Sequence, residues 1–445
     1  MASIATDALP ILSLFAPAFS SCTFPRVQLL AVACILTTGR RTVSNLLRLL
    51  GWLGHGAASC YHKVLSQAKW SSLHLAALVT RFLVRHFWRS GPILLVGDDT
   101  VSEHRGKKVY GKSRHRDPVR SSHGYTAYRY GHKWVVLCIL VRFAFGKRPW
   151  ALPVLVALDR SPKDNQERGR PHKTPAQLMQ LLLRILMRWF PDRQFVFAGD
   201  AGYGSHEMAN FAVKTKGHLA LVSKFHRAAN LYEPAGAYTG KGRPPKKGAK
   251  LPAQKEVVAQ SKRTRLNVAW YGGGRRDVEV VSGLGHWHTS GVGLVAVVWV
   301  YVHDLTGTHR DEYFYSTSVT MTAREVIERY TERWNIETTF EEMRAYLGLE
   351  TTRGWCQRTV LRAEPCLFGL YSVVALLYWQ LPQPGGDAGV DWVGKDTVTF
   401  SDAITVVRRW LWDKWVFATA GHDQAFAKLP EPLRDALLYA LAPAA

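Results

Sequence analysis

The spacing of apolar and polar positions divides the chain into helical ends and a strand-containing middle. Residues 1–90 have a helical pattern, with apolar runs at Val27–Leu36 and Ser44–Leu53 and a helical block at Ser71–Trp88. Two short helices around a glycine-containing turn are typical of a helix-turn-helix and equally of a small helical bundle, so a DNA-binding role for this region stays open.

The middle of the chain alternates short apolar runs of strand length with helical stretches. In chain order the pattern predicts strands at 92–96, 134–145 and 149–158, a helix at 175–190, a strand at 194–198, a helix at 205–213 and a strand at 218–222. Thr174 and Pro175 supply a cap and a first helical residue for the longer helix. With a long helix farther along the chain, this order predicts a ribonuclease H-like α/β fold.

Aspartates follow two of the predicted strands. Asp98 and Asp99 come after the first strand, and Asp200 follows the strand at 194–198. Parallel neighbouring strands would bring Asp99 and Asp200 close together, although an aspartate at a strand end is also a common turn former. The glycines at 199, 202 and 204 favour a sharp turn over a phosphate-binding loop, because no Walker lysine accompanies them.

A polar, proline-containing loop is predicted at 159–173. Beyond residue 223 the pattern predicts a basic, β-rich insertion and then more helices, with a linker at 382–389 and terminal helices at 401–412 and 423–441. Trp270, Trp287 and Trp299 lie in the insertion and are more typical of a packed core than of contact with a displaced base. The fold class is therefore α/β, with a ribonuclease H-like core, a β-rich insertion and helical N- and C-terminal regions. The predicted divisions are 1–90 (helical), 91–223 (first part of the core), 224–318 (insertion), 319–381 (second part of the core) and 382–445 (helical tail).

A strong excess of positive charge identifies the kind of partner. The net charge is +24, and two stretches carry most of it: residues 101–133 hold nine Lys/Arg against two acids, and residues 224–276 hold thirteen against two. Such patches favour a polyanion such as nucleic acid. A cationic membrane-surface protein would place the charge on an amphipathic helix, whereas these stretches are broken by Gly and Pro. The tyrosines in the first stretch also suit DNA contact, with a solvated loop as the alternative.

The six cysteines and the apolar segments indicate the cellular compartment in which the protein is expected. No Cys-x-x-Cys motif occurs, so the cysteines are interpreted as reduced core residues of a cytoplasmic protein. The apolar N-terminus lacks a basic start, which argues against a signal peptide. The apolar run Pro365–Leu381 is short for a membrane span and is interpreted as a buried helix.

The segment from Tyr330 to Arg344 carries the most specific pattern in the chain. On a helical wheel Tyr330, Arg333, Glu337, Glu341 and Arg344 fall on one face, which combines two carboxylates, an aromatic hydroxyl and two guanidinium groups. A solvated surface helix with i,i+4 ion pairs is the plain alternative. Such a face also suits a metal ion beside a polyanion.

Together, the Asp-Asp-Thr segment at 98–100, Gly-Asp-Ala-Gly-Tyr-Gly at 199–204 and the spacing Tyr-x2-Arg-x3-Glu-x6-Arg from residue 330 resemble the DDE transposases of bacterial insertion sequences with a Tyr-Arg-Glu-Lys signature. Arg344 stands where that signature has Lys, which keeps the charge. The resemblance covers about residues 92–381 and implies that Asp99, Asp200 and Glu337 are catalytic carboxylates that bind two Mg²⁺ ions, for which Mn²⁺ can substitute.

The same resemblance implies that Tyr330, Arg333 and Arg344 contact DNA phosphates. It implies a nucleoid-associated protein that cuts transposon ends and joins them to target DNA as a homodimer in a synaptic complex, without a membrane. Two alternatives remain: a domesticated transposase that binds DNA without transposing, and a ribonuclease H-like nuclease without strand transfer. Whether Asp98 shares the metal role of Asp99 is left open by the sequence.

Overall fold

The computed structural model of the chain describes residues 10–117, 120–237, 240, 244–381 and 397–443. The N-terminal region is helical, as expected from its pattern. Its helices are α1 (Pro10–Ser13), α2 (Phe24–Leu36), α3 (Val43–Leu50), α4 (Ala58–Ser66) and α5 (Ser72–Phe87). Thr42 and Ser71 cap α3 and α5, because each side chain accepts a hydrogen bond from a backbone N–H of the first turn.

A large mixed sheet forms the centre of the molecule. Its strands are β1 (Ile93–Glu103), β2 (Ser113–Arg116), β3 (Tyr128–Val141), β4 (Trp150–Asp159), β5 (Phe195–Gly199), β6 (Leu219–Lys224), β7 (Leu231–Tyr232), β8 (Thr264–Ala269), β9 (Arg275–Thr289), β10 (Gly293–Asp304) and β11 (Glu312–Ser316).

The strand order confirms the expected fold class. Five strands run in the order β4, β3, β1, β5 and β6, with β1, β5 and β6 parallel and β3 antiparallel to its neighbours. This is the ribonuclease H-like arrangement. The insertion is β-rich, as expected, and it extends the same sheet: β11 pairs with β6, followed by β10 and β9.

Helices pack against the sheet and continue beyond it. They are α6 (Pro162–Glu167), α7 (Pro175–Trp189), α8 (His206–Lys214), α9 (Gln254–Gln260), α10 (Ala323–Thr331), α11 (Asn335–Leu347), α12 (Gln357–Gln380), α13 (Phe400–Trp410), α14 (Asp423–Ala427) and α15 (Glu431–Leu441). Thr174 forms a capping box with Gln177 at the start of α7, which explains why that helix begins where the sequence predicts.

Several local expectations were wrong. The helix predicted from Tyr330 to Arg344 is interrupted at Glu332–Trp334 by a tighter 3-10 turn, which separates α10 from α11. The terminal helix predicted at 423–441 is two helices, since Pro430 separates α14 from α15. The loop predicted at 159–173 contains α6. The linker predicted at 382–389 lies outside the described residues.

The buried apolar side chains form one core that joins the N-terminal helices, the sheet and the C-terminal helices. Helix α12 runs through it. By length and composition this helix could cross a membrane, but two-thirds of its most apolar window is buried inside the protein, as a core helix would be. Trp270 and Trp299 are buried as well, which agrees with the core interpretation of these tryptophans. The six cysteines are free, and Cys22 is exposed rather than part of the core.

Arg362 on α12 holds the N-terminal helices in place. Its guanidinium donates to the carbonyl oxygens of Leu65, Ala68 and Trp70 at 3.1, 2.8 and 2.9 Å, in the last turn of α4 and just beyond it. We expect Arg362→Leu to lower the free energy of unfolding by about 2–4 kcal/mol, because these carbonyls lose a charged donor. Urea denaturation would measure the loss. Arg358→Leu, an exposed arginine one turn earlier on the same helix, is the control, and equal losses for both variants would contradict this role.

Candidate active site

Asp98 and Asp99 lie near the middle of β1 and not after its end as the sequence predicted, because pairing with β3 continues the strand to Glu103, and they point to opposite faces of the sheet. Successive side chains of a strand alternate between faces, and Asp98 stands opposite Val136 of β3 while Asp99 stands opposite Val135. The Asp99 carboxylate lies 3.1 Å from Lys133 Nζ. The Asp98 carboxylate faces the 3-10 turn before α11 instead, where it accepts a hydrogen bond from Arg333.

Asp200 follows β5 directly and lies beside both aspartates. Gly97 of β1 pairs with Gly199 of β5, so Asp98 and Asp200 are the next residues on neighbouring parallel strands. The Asp200 side chain accepts the N–H groups of Gly202 and Tyr203 at 2.9 and 3.3 Å. The glycine-rich segment is therefore a tight turn around Asp200, as the sequence indicated.

The tight turn also depends on a close approach at its end. A Cβ atom on Gly204 would lie 2.5 Å from Ser223 Oγ, so no larger residue fits. Ser223 Oγ in turn donates to the carbonyl oxygens of Gly199 and Asp200 at 2.9 and 2.8 Å. Strand β6 thereby fixes the backbone that presents the Asp200 carboxylate.

Arg333 connects Asp98 to Glu337. Its Nη1 donates to Asp98 Oδ2 at 2.9 Å, and its Nη2 donates to Glu337 Oε1 at 2.8 Å. The Arg333 side chain is 8% exposed, so this bridge is shielded from solvent. The 3-10 turn before α11 carries Arg333, while Glu337 lies in the first turn of that helix. One guanidinium thus spans the space between a sheet carboxylate and a helix carboxylate.

The proximity of these groups shifts their pKa values. Burial raises the pKa of Asp98 to about 7, the Arg333 charge opposes this, and the Asp200 charge adds to it. Burial also raises the pKa of Asp99, opposed by Lys133 and reinforced by Asp200. Burial alone would lower the pKa of Arg333, but the negative charges of Asp98 and Glu337 outweigh it and raise the pKa. The site therefore holds negative charge that a cation can compensate.

The residues predicted to contact DNA lie around this site with their polar groups directed inward. Tyr330 is 1% exposed, and its ring stacks on Phe314 at a centroid distance of 4.3 Å. Arg344 donates to Thr100 Oγ1 and lies 3.2 Å from Glu350 Oε1. Arg333 is occupied by Asp98 and Glu337. In this conformation, phosphate binding by either arginine requires it to exchange protein partners for DNA.

The predicted metal ligands Asp99, Asp200 and Glu337 are not among the described groups whose ligand atoms all lie within 4.8 Å of one another. Among the described residues, the histidine, cysteine and carboxylate ligands whose atoms all lie within 4.8 Å of one another are His104, His132 and Glu364. Asp98 and Glu337 share Arg333, and the charge of Asp200 contributes to the raised pKa of Asp98. The sequence reading missed the tighter group, although Glu364 is an acidic residue within a strongly apolar helix, which is an unusual place for a carboxylate.

A basic, aromatic surface lies on the β2–β3 hairpin, within the first basic stretch. Arg114 and Arg116 of β2 stand opposite Tyr130 and Tyr128 of β3, and all four side chains are exposed on the same face. The Arg114 guanidinium lies 3.9 Å from the centre of the Tyr128 ring. We call these four residues the hairpin face. Part of the stretch is therefore ordered strand rather than a solvated loop.

Comparison with known proteins places the chain in a family. A family model described as "DDE superfamily endonuclease" matches residues 14–277, and one described as "Archaeal putative transposase ISC1217" matches residues 285–369. No curated protein matches. The cryo-EM structure of a piggyBac transposase synaptic complex with hairpin DNA aligns over 99% of this chain and 82% of its own, at 11% identity and a TM-score of 0.40, which is too distant to inform the site.

The first match spans more than half of the chain and includes Asp98, Asp99 and Asp200, while the second includes Glu337. The residues brought together around Arg333 are thus covered by endonuclease and transposase models along the same chain. This protein belongs to the DDE superfamily endonucleases.

Proposed function

We propose that this chain is an insertion-sequence transposase of the bacterial Tyr-Arg-Glu-Lys signature group. It binds the double-stranded DNA of transposon ends, cleaves it and joins it to a target. One observation carries the proposal: Arg333 links Asp98 to Glu337 beside Asp200, so that carboxylates far apart in sequence share one site. The expected nucleoid association, cytoplasmic location and homodimeric synaptic complex belong to the same proposal.

In this proposal the metal ligands are Asp98, Asp200 and Glu337, and Asp99 takes a supporting role. The donor set fits Mg²⁺, because all of its atoms are hard carboxylate oxygens. Asp200 Oδ2 and Glu337 Oε2 carry no hydrogen bond within the described residues and are available to an ion. When bound, two divalent ions activate the attacking oxygen and stabilise the leaving oxygen of an in-line displacement at phosphorus.

The protein side chains orient and compensate these groups. Arg333 pairs with both Asp98 and Glu337 and offsets part of their combined charge. Lys133 pairs with Asp99 on the other face of β1. In this proposal Arg333 and Arg344 bind the scissile phosphate after they exchange their present protein partners for DNA.

The direct test uses purified full-length chain, Mg²⁺ or Mn²⁺, and linear DNA that carries the sequences flanking its gene. We expect strand breaks at the element boundaries and, with a target plasmid present, joined products. Breaks without joined products would instead identify a nuclease without strand transfer. No metal-dependent breaks with either ion would contradict the proposed function.

The position of the hairpin face predicts where along the transposon end it contacts DNA. Tyr130 lies six residues along β3 from Val136, the partner of Asp98, which corresponds to about 20 Å of extended chain. On B-DNA this is about six base pairs, at 3.4 Å per pair. We therefore expect the hairpin face to contact the transposon end about six base pairs from the cleavage point, with arginines on phosphates and tyrosines against the sugar or bases.

Replacing both Arg114 and Arg116 by Ala should weaken binding to end DNA and lower the slope of log K against log salt by about 1–2, because each lost phosphate contact removes about one released counterion. Fluorescence anisotropy over a salt series would measure the slope. Lys428→Ala, an exposed lysine near the C-terminus, is the control for net charge. Equal slopes for the double variant and the unmodified chain would show that the hairpin face does not contact phosphates.

A further inference from the structure

A buried carboxylate lies under the sheet at a distance from the proposed catalytic groups. Glu364 of α12 is 1% exposed. Its oxygens accept hydrogen bonds from Ser102 Oγ at 2.8 Å, from Thr352 Oγ1 at 3.2 Å and from Trp134 Nε1. Its Oε1 also contacts His104 Nε2. Ser102 lies four residues beyond Asp98 on β1, which places Glu364 about 13 Å along the strand from the catalytic aspartate.

His132 brings an unused nitrogen to the same carboxylate. Its Nε2 lies 2.8 Å from the carbonyl oxygen of Tyr110, which can only accept, so Nε2 carries the proton and Nδ1 carries the lone pair of the neutral ring. Nδ1 is buried and has no hydrogen-bond partner among the described residues. It lies 3.5 Å from Glu364 Oε2, beyond the usual range of about 2.7–3.2 Å for such a bond. Whenever the ring is neutral, a lone pair on Nδ1 thus faces a carboxylate oxygen.

We propose that His104, His132 and Glu364 bind a divalent transition-metal ion of the zinc class. Two imidazoles and a carboxylate are a common zinc donor set, and tetrahedral ligands at about 2.0–2.1 Å from zinc lie about 3.4 Å apart, close to the Nδ1–Oε2 separation. The direct contact between His104 Nε2 and Glu364 Oε1 is shorter than this spacing, so binding of the ion has to open that contact. The ligand atoms of the three residues all lie within 4.8 Å of one another. Ser102, Thr352 and Trp134 would orient the ligating carboxylate, as supporting groups of metal ligands do.

The position of the two histidines indicates what the ion does. His104 directly follows β1 and His132 lies on β3, so they bracket the excursion 105–131 that carries the hairpin face. Glu364 anchors both ends of that excursion to the core helix α12. A cation bound here joins the two ends of the segment 105–131, which lowers the entropy cost of ordering it. The ion thereby orders the hairpin without taking part in phosphoryl transfer.

The proposal is tested on the full-length chain, purified without chelator or affinity metal and dialysed against metal-free buffer. Elemental analysis should find a zinc-class metal close to one per chain. His132→Gln should lose it, because a Gln amide can replace the Nε2 donor to Tyr110 but not the Nδ1 lone pair. His206→Gln is the matched control: His206 is also buried, bonds a backbone carbonyl through Nε2 and leaves Nδ1 unpartnered, but it is not part of a group of metal ligands.

If His132→Gln fails to fold, two further measurements on the unmodified chain still test the proposal. Cobalt(II) loaded into the unmodified chain should give the intense visible absorption of a tetrahedral site with nitrogen ligands, which six-coordinate oxygen sites such as that proposed for Mg²⁺ do not give. Removing the metal from the unmodified chain with a strong chelator should speed tryptic cleavage within 105–131 several-fold while the rest of the chain stays protected. The proposal is overturned by metal-free protein that binds no added zinc, or by cleavage in 105–131 that does not respond to the chelator. Neither outcome depends on DNA cleavage.

Discussion

Asp98→Asn is expected to reduce metal-dependent DNA cleavage by on the order of 10³-fold, because a lost metal ligand removes several kcal/mol of charge stabilisation in the transition state. Asp99→Asn is expected to keep activity within about tenfold of the unmodified chain. The two residues are adjacent and carry the same charge. They differ in the face of β1 from which they project: Asp98 shares Arg333 with Glu337, whereas Asp99 is paired with Lys133.

The comparison is made on end DNA at equal protein concentration, with cleavage and binding measured separately. Both variants should retain DNA binding, so a loss of cleavage by Asp98→Asn alone reports on the metal site. Lys133→Met serves as a second control, because it removes the partner of Asp99 without touching Asp98. If Asp99→Asn is the inactive variant and Asp98→Asn cuts normally, the assignment of the ligand to Asp98 is wrong, and the reading from the motif alone was correct.

The choice between Asp98 and Asp99 shows what the sequence could and could not establish. The motif and the apolar run located the pair at the strand and predicted that it meets Asp200. Which of the two faces Glu337 depends on the register of β1 against β3 and β5, and a shift of one residue exchanges the faces. The register is set by pairing with strands that are distant in sequence, so it cannot be predicted from the local pattern of residues 92–100.

Elements with strong local signals were predictable for physical reasons. Helix α7 begins at Pro175 behind a capping threonine, as expected from residues within one turn. The short helix α6 was missed, because its six residues carry no apolar periodicity, although Ser161 caps it. The cluster of His104, His132 and Glu364 was missed because its members lie up to 260 residues apart and only the packing of α12 under the sheet brings them together.

The buried bridge also has a large expected effect on stability. Without divalent metal, Arg333→Ala should lower the free energy of unfolding by about 3–5 kcal/mol, because it leaves Asp98 and Glu337 buried or half-buried without their cation. Chemical denaturation near pH 8, where Asp98 is largely ionised in the folded chain, is the measurement. Arg329→Ala is the control: Glu332, its partner, keeps a second contact to Arg142, so the loss should stay near 1 kcal/mol.

Divalent metal should then distinguish the role of Arg333 from ordinary packing. If the guanidinium holds the place that a cation takes in the active complex, Mg²⁺ or Mn²⁺ should raise the stability of Arg333→Ala more than that of the unmodified chain, since ion binding to the folded state stabilises it by mass action. Arg329→Ala should respond like the unmodified chain. A deficit in Arg333→Ala that metal does not reduce would mean that Asp98 and Glu337 do not share an ion, and the proposed metal site would have to be placed elsewhere.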